Sequence, residues 1–142
     1  MKNLVIAVSV IFLTSCAATP PGQMKDSDFV IRTMELKSPP SATLTTFIDG
    51  MRYCGPISQG GMHGLPECTP ARPDGSLTCD IYAPASTGRS NEVIGRVDIS
   101  PHSTGSKLSL RVIPLYFGQT ERTLNSWENF ARGHANKVCL SN

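Results

Sequence analysis

Leu77-Thr78-Cys79-Asp80-Ile81-Tyr82 alternates between apolar and polar side chains. Successive side chains of an extended chain point to opposite faces, so the stretch reads as a half-buried strand. Leu77, Cys79 and Ile81 face a core, and Thr78, Asp80 and Tyr82 face away from it. The pattern recurs twice downstream. Val93, Gly95, Val97 and Ile99 alternate with Ile94, Arg96, Asp98 and Ser100, and Leu108, Leu110 and Val112 alternate with Lys107, Ser109 and Arg111. Residues 83–90 read as a turn and 101–106 as a hairpin loop. The third strand is expected to continue through 113–117, where Pro114 lacks a ladder donor and marks an edge or a bulge. Three sequential strands with short connections favour an antiparallel meander.

Upstream, residues 29–36 (FVIRTMEL) read as a further strand at an edge or beside a neighbour. Phe29 and Ile31 fall on one parity and Met34 and Leu36 on the other, which a bulge or end-twist would reconcile. Ser38-Pro39-Pro40 opens a helix, with Ser38 or Ser41 as N-cap and a proline in the first turn. Leu44, Phe47, Ile48 and Met51 recur at helical spacing on one face, and Gly55-Pro56 stops the helix just after Cys54. A last helix carries Leu124, Trp127, Ala131 and Val138 near one stripe, with Trp127 as a core anchor. Asn125 and Glu128 are spaced as a capping box, and Gly133 weakens the helix from within. The order is β-α-β-β-β-α. Both helices must bury their stripes, and the apolar side of the sheet is the available surface. We therefore expect an α+β two-layer sandwich over residues 28–142, an antiparallel sheet with two helices on one face.

Five cysteines stand at 16, 54, 68, 79 and 139. The segment from 55 to 75 looks least ordered, with five glycines and four prolines. Loops of that length are functional, disordered or covalently clipped. His63 lies in it as an exposed loop histidine that would serve as a ligand or an acid/base group if the loop has a role. A metal site from Cys54, His63, Cys68 and Cys79 lacks the short-spaced cysteine pairs of zinc modules. No Cys-x-x-Cys is present for thioredoxin-like redox work. The four cysteines beyond residue 16 therefore read as two disulfides. Cys54 and Cys139 end the two helices, which meet if they share a sheet face, and Cys68 and Cys79 flank one loop. These pairings are expected, and Cys54–Cys68 with Cys79–Cys139 is the alternative.

At the other end, Lys2 precedes an apolar run from Leu4 to Leu13 broken only by Ser9, and Leu13-Thr14-Ser15-Cys16 closes it before Ala17. The run is about half the ~20 residues a membrane span requires. Leu13 to Cys16 resembles the lipobox of bacterial lipoproteins; the competing reading is an ordinary secretory signal cut near Ala17-Ala18. The lipoprotein resemblance implies a signal peptide over 1–15, cleavage before Cys16, and fatty acyl chains such as palmitate on its sulfur and amino group. One acyl chain binds membranes only marginally, whereas two or three hold firmly. Residues 16–27 would form the lipidated N-terminus and a tether, which with Pro20-Pro21-Gly22 spans at most roughly 35 Å. Ala17, where inner-membrane lipoproteins carry Asp, implies the outer membrane with the domain facing the periplasm. That compartment is oxidising and suits paired cysteines. The element order is similar in outline to helix-grip modules of other envelope lipoproteins.

Without the first 15 residues the chain has 127, enough for one domain, with 12 basic against 11 acidic residues. Such a balance argues against a nucleic-acid partner, and a single Trp offers no platform for stacking oligosaccharides. Gly-x-Ser-x-Gly, Ser-x-x-Lys, His-Glu-x-x-His and phosphate-cradling glycine motifs are all absent from the sequence. No enzyme, cofactor or metal is expected, and no catalytic residue is assigned. What remains is the polar parity of the meander: Thr78, Asp80, Tyr82, Arg96, Asp98, Ser109 and Arg111. It reads either as a solvated face with cross-strand ion pairs or as a docking face for an envelope protein. Tyr116-Phe117 is a second candidate. The expectation is an accessory lipoprotein presenting a stapled domain for protein–protein interaction. The alternative is a small hydrolase or ligand-binding lipoprotein that uses the 55–75 loop and His63.

Overall fold

The computed structural model describes residues 23–58, 61–115 and 118–139. The lipobox, Cys16 and the start of the tether lie outside them, as do Tyr116 and Phe117. The described chain runs β1 (Val30–Leu36), α1 (Pro40–Cys54), β2 (Ile57–Ser58), β3 (Gly61–Met62), β4 (Leu65–Cys68), β5 (Leu77–Ala85), β6 (Gly88–His102), β7 (Gly105–Val112) and α2 (Gln119–Ala131). Short 3-10 turns stand at Asp26–Asp28 and Ala135–Lys137.

Period-two alternation decides the sheet. Leu108, Leu110 and Val112 are wholly buried, while Lys107, Ser109 and Arg111 project from the other side. Five antiparallel strands follow the order β1-β7-β6-β5-β4, and β2 with β3 forms a separate two-stranded ribbon. Phe47 and Met51 of α1 and Leu124, Trp127 and Phe130 of α2 pack against Ile81, Val97, Ile99, Leu108, Leu110 and Val112. Full burial of each such side chain contributes about 1.5–3 kcal/mol. The fold is the expected α+β sandwich, with both helices on one face, and the bridges are Cys54–Cys139 and Cys68–Cys79.

Several local expectations are corrected. β1 has no bulge: its register with β7 is unbroken from Val30↔Val112 to Leu36↔Ser106. Its mixed parity comes from its place at the sheet edge, where Met34 and Leu36 pack on the core while Ile31 stays 42% exposed. The irregularity sits in the β5–β6 pairing instead, between Ile81 and Tyr82. It turns Ile94, assigned above to the polar parity, into the core. The 83–90 turn is only the tip of a longer hairpin, β6 runs on through Pro101 to His102, and β7 stops at Val112 before Pro114.

The helix ends differ as well. α1 begins on Pro40 with Pro39 as N-cap, and Ser38 bonds the Thr43 hydroxyl at 2.6 Å rather than capping the helix. α2 begins at Gln119, so Asn125 and Glu128 lie inside it and are no capping box. Gly133 lies past its end at φ 74°, a conformation cheap for glycine. There His134 N–H donates to Asn129 O at 2.8 Å and Gly133 N–H to Phe130 O at 3.0 Å, closing the helix in a Schellman motif.

Candidate functional site

Thr78, Asp80, Tyr82, Arg96, Asp98, Ser109 and Arg111, singled out from alternation alone, come together on the sheet face opposite the helices. Register aligns them in rows. One row reads Glu67, Asp80, Arg96, Arg111, Ile31 across β4, β5, β6, β7 and β1. The next reads Thr78, Asp98, Ser109, Thr33 across β5, β6, β7 and β1. The first row places two carboxylates side by side and then two guanidiniums, an arrangement that is unfavourable by itself.

Neighbouring charges relieve it. Arg96 Nε donates to Asp80 Oδ1 at 2.7 Å. Arg111 pairs diagonally with Asp98, which also accepts from the Thr78 hydroxyl at 2.7 Å. Arg89, beyond the rows, lies 4.1 Å over the Tyr82 ring and reaches Glu67 at 2.8 Å. Asp26, in the turn that enters β1, lies 3.3 Å from Arg111 Nε. The side chains of Asp80, Arg96, Asp98 and Arg111 are only 20–30% exposed. This is a consolidated polar surface rather than a set of freely solvated charges. Asp26, Arg72, Thr78, Arg96, Asp98 and Arg111 border a shallow depression of about 420 Å³ within it.

The described parts of the 55–75 segment, 55–58 and 61–75, are built, not loose. Pro56 O accepts from the amides of both His63 and Gly64, and β4 pairs with β5 under the Cys68–Cys79 bridge between directly opposed residues. Gly64 sits at φ 78° against Ile81 and Ile94, where a Cβ would collide with both. Near the end of the segment the Ser76 hydroxyl and amide both donate to Asp74, holding its carboxyl below the usual value.

His63, expected as an exposed loop residue, is wholly buried. Its ring meets Phe130 edge-on at 4.9 Å, and its carbonyl accepts from the Trp127 indole at 3.1 Å. Gly55 O, which can only accept, lies 2.9 Å from Nδ1, so Nδ1 carries the proton and Nε2 the lone pair. Burial lowers the pKa of His63 from its ordinary value, with the Gly55 bond opposing, and favours the neutral ring. Cys54, Cys139 and His63 converge, while Cys68 and Cys79 bond to each other. The four-residue metal set weighed from the sequence is thus divided.

Beside this cluster, Ile48, Met51, Gly55, Pro56, Leu65 and Pro66 line a mainly apolar cleft of about 550 Å³. Sequence reasoning missed three contributors to the polar surface, Asp26, Glu67 and Arg89. It also missed Arg32, which crosses from β1 to α2 and donates to Asn125, Glu121 and Glu128 at 2.7, 2.8 and 3.3 Å. A signal for Arg32 was present: it shares parity with the inward Met34 and Leu36. Compared with known proteins, the chain matches no family model, no curated protein and no solved structure.

Proposed function

We propose that the protein is a membrane-anchored accessory lipoprotein whose disulfide-stapled domain docks an envelope protein on the open face of its sheet. The observation that carries this reading is the one-sided architecture. Both helices pack on one side, and the other presents the ordered rows that hold Asp80, Arg96, Asp98 and Arg111, with Tyr82 beside them under Arg89. Tyr and Arg are residue types enriched at interfaces. Half-buried ion pairs hold these side chains in place before a partner arrives, which lowers the ordering cost of binding. Asp26 also ties the incoming chain to Arg111, so this face lies next to the tether implied by the lipobox.

A photo-crosslinking amino acid at Ser109 or Glu67 should yield discrete adducts with an envelope protein in intact cells. The same probe at Thr45 or Arg52, exposed on α1 across the sandwich, should not. Equal adducts from both sides, or none from the open face, would end the proposal. The anchor has its own test: Cys16→Ser should accumulate unprocessed precursor and lose fatty-acid labelling.

The apolar cleft supports a second reading, a lipoprotein that binds a small apolar ligand beside the 55–75 segment. Leu65→Glu, which charges the cleft wall, should then abolish ligand capture in a lipid-extract binding assay and leave crosslinking from Ser109 intact.

A further inference from the structure

We propose that Cys54, Cys139 and His63 form a redox-gated zinc site, a disulfide when oxidised and a two-thiolate, one-imidazole Zn2+ centre when reduced. This is independent of the docking reading. Both sulfurs and a ring nitrogen of His63 lie within 4.8 Å of one another. Among the described residues no other three His, Cys, Asp or Glu groups converge so closely.

The chemistry of each donor fits. The Gly55 carbonyl holds the proton on Nδ1 and leaves Nε2 with its lone pair, the arrangement that orients metal-binding histidines. Ser58 Oγ lies 3.5 Å from Nε2 and 3.6 Å from Cys139 Sγ, so the ring nitrogen and the sulfur share one neighbour. Zinc takes sulfur at about 2.3 Å and imidazole nitrogen at about 2.0 Å, so tetrahedral donors stand roughly 3.5–3.8 Å apart. Reaching that geometry needs the two sulfurs, about 2.0 Å apart when bonded, to part by about 1.8 Å once they are freed. The Ser58 hydroxyl, or a water it holds, completes the fourth position.

Opening the bridge requires a dithiol reductant. Its thiolate attacks the sulfur of Cys54, which is partly exposed, whereas Cys139 is only 6% exposed. Cys139 departs as a thiolate, and the reductant's second thiolate then attacks its own sulfur in the mixed disulfide and frees Cys54. The reductant ends as a disulfide and its two protons pass to the two cysteines. Zn2+ displaces those protons on binding. The end of α1 and the segment after α2 thus stay joined in either redox state.

The test uses the full-length chain in detergent, reduced with dithiothreitol and desalted anaerobically. Co2+ serves as the coloured probe and Zn2+ as its competitor. Wild type and Cys68→Ala/Cys79→Ala should each bind one equivalent of Co2+ with thiolate-to-cobalt charge-transfer absorption, which Zn2+ then removes. Cys54→Ser/Cys139→Ser should show none, and His63→Gln should bind at least about tenfold more weakly. Oxidised protein should bind none. Because a variant that fails to fold would be uninformative, alkylation of reduced wild type provides a second reading: Zn2+ should protect Cys54 and Cys139 and leave the exposed Cys68 reactive. Absence of charge-transfer absorption in wild type, its survival without Cys54 and Cys139, undiminished binding by His63→Gln, or alkylation unaffected by Zn2+ would each overturn the proposal.

Discussion

Removing the Cys54–Cys139 bridge with the double substitution Cys54→Ala/Cys139→Ala tests how far the domain relies on its longer staple. The bridge spans a sequence separation of 85, and its Cα atoms stand 5.4 Å apart. Loop closure in the denatured chain then amounts to about 4.6 kcal/mol at 25 °C in the chain-entropy model. The Cys68–Cys79 bridge, with a separation of 11, amounts to about 2.8 kcal/mol on the same footing. The longer bridge is a large share of a typical total of ~5–15 kcal/mol. At roughly 4 °C per kcal/mol for a domain of this size, the melting temperature should fall by about 15–20 °C. Urea denaturation followed by Trp127 fluorescence measures the loss directly. Because the constraint acts on the unfolded chain, releasing it should also raise the slope against urea, as the denatured state expands and exposes more surface. A loss below about 2 kcal/mol, with Cys68–Cys79 verified intact by peptide mapping, would refute the argument. It would mean that packing of Ala135 and Val138 on the core holds the terminal segment without the bridge.

Three further outcomes are expected. The depressed pKa of His63 means that the unfolded chain takes up a proton near the ordinary 6.5 which the native chain refuses. Stability should therefore be undiminished above that value and fall as pH drops through it towards the native pKa; His63→Gln should flatten that slope in urea titrations, and an unchanged profile would place the sensitivity elsewhere. Gly95→Ala would drive a methyl into the Arg111 carbonyl and the Trp127 ring, 2.7 Å from Cη2. A loss of about 3 kcal/mol is expected by thermal melting, and a change under about 0.5 kcal/mol would contradict the packing. A double-mutant cycle on Asp80→Asn and Arg96→Gln should give a coupling of at most about 1 kcal/mol that shrinks in high salt, because both side chains remain in contact with water. A salt-independent coupling of several kcal/mol would mean a desolvated pair.

Alternation at period two and a stripe at helical spacing were enough to read three strands of the sheet, the first helix and the side of the meander that carries Asp80, Arg96 and Arg111. These signals are local, because each side chain's direction follows from its position in a regular backbone. The cysteine pairing was legible too, although α2 stops at Ala131 and it is the Ala135–Lys137 turn beyond it, packed on α1, that carries Cys139 to Cys54. What local pattern does not carry is set by contacts between residues far apart in sequence. The irregularity opposite Tyr82 turns Ile94 inward, and an edge position, not a bulge, explains β1. Arg32 reaches α2 across nearly the whole length of the domain. The 55–75 segment has too few apolar residues to order itself; its described residues are structured because Trp127 and Phe130 grip His63, Pro56 gathers two amides, and β5 offers β4 both a ladder and a bridge. The convergence of His63 on Cys54 and Cys139 belongs to the tertiary structure alone, since a histidine in a glycine-rich segment carries no local sign of burial until the helix it packs against is in place.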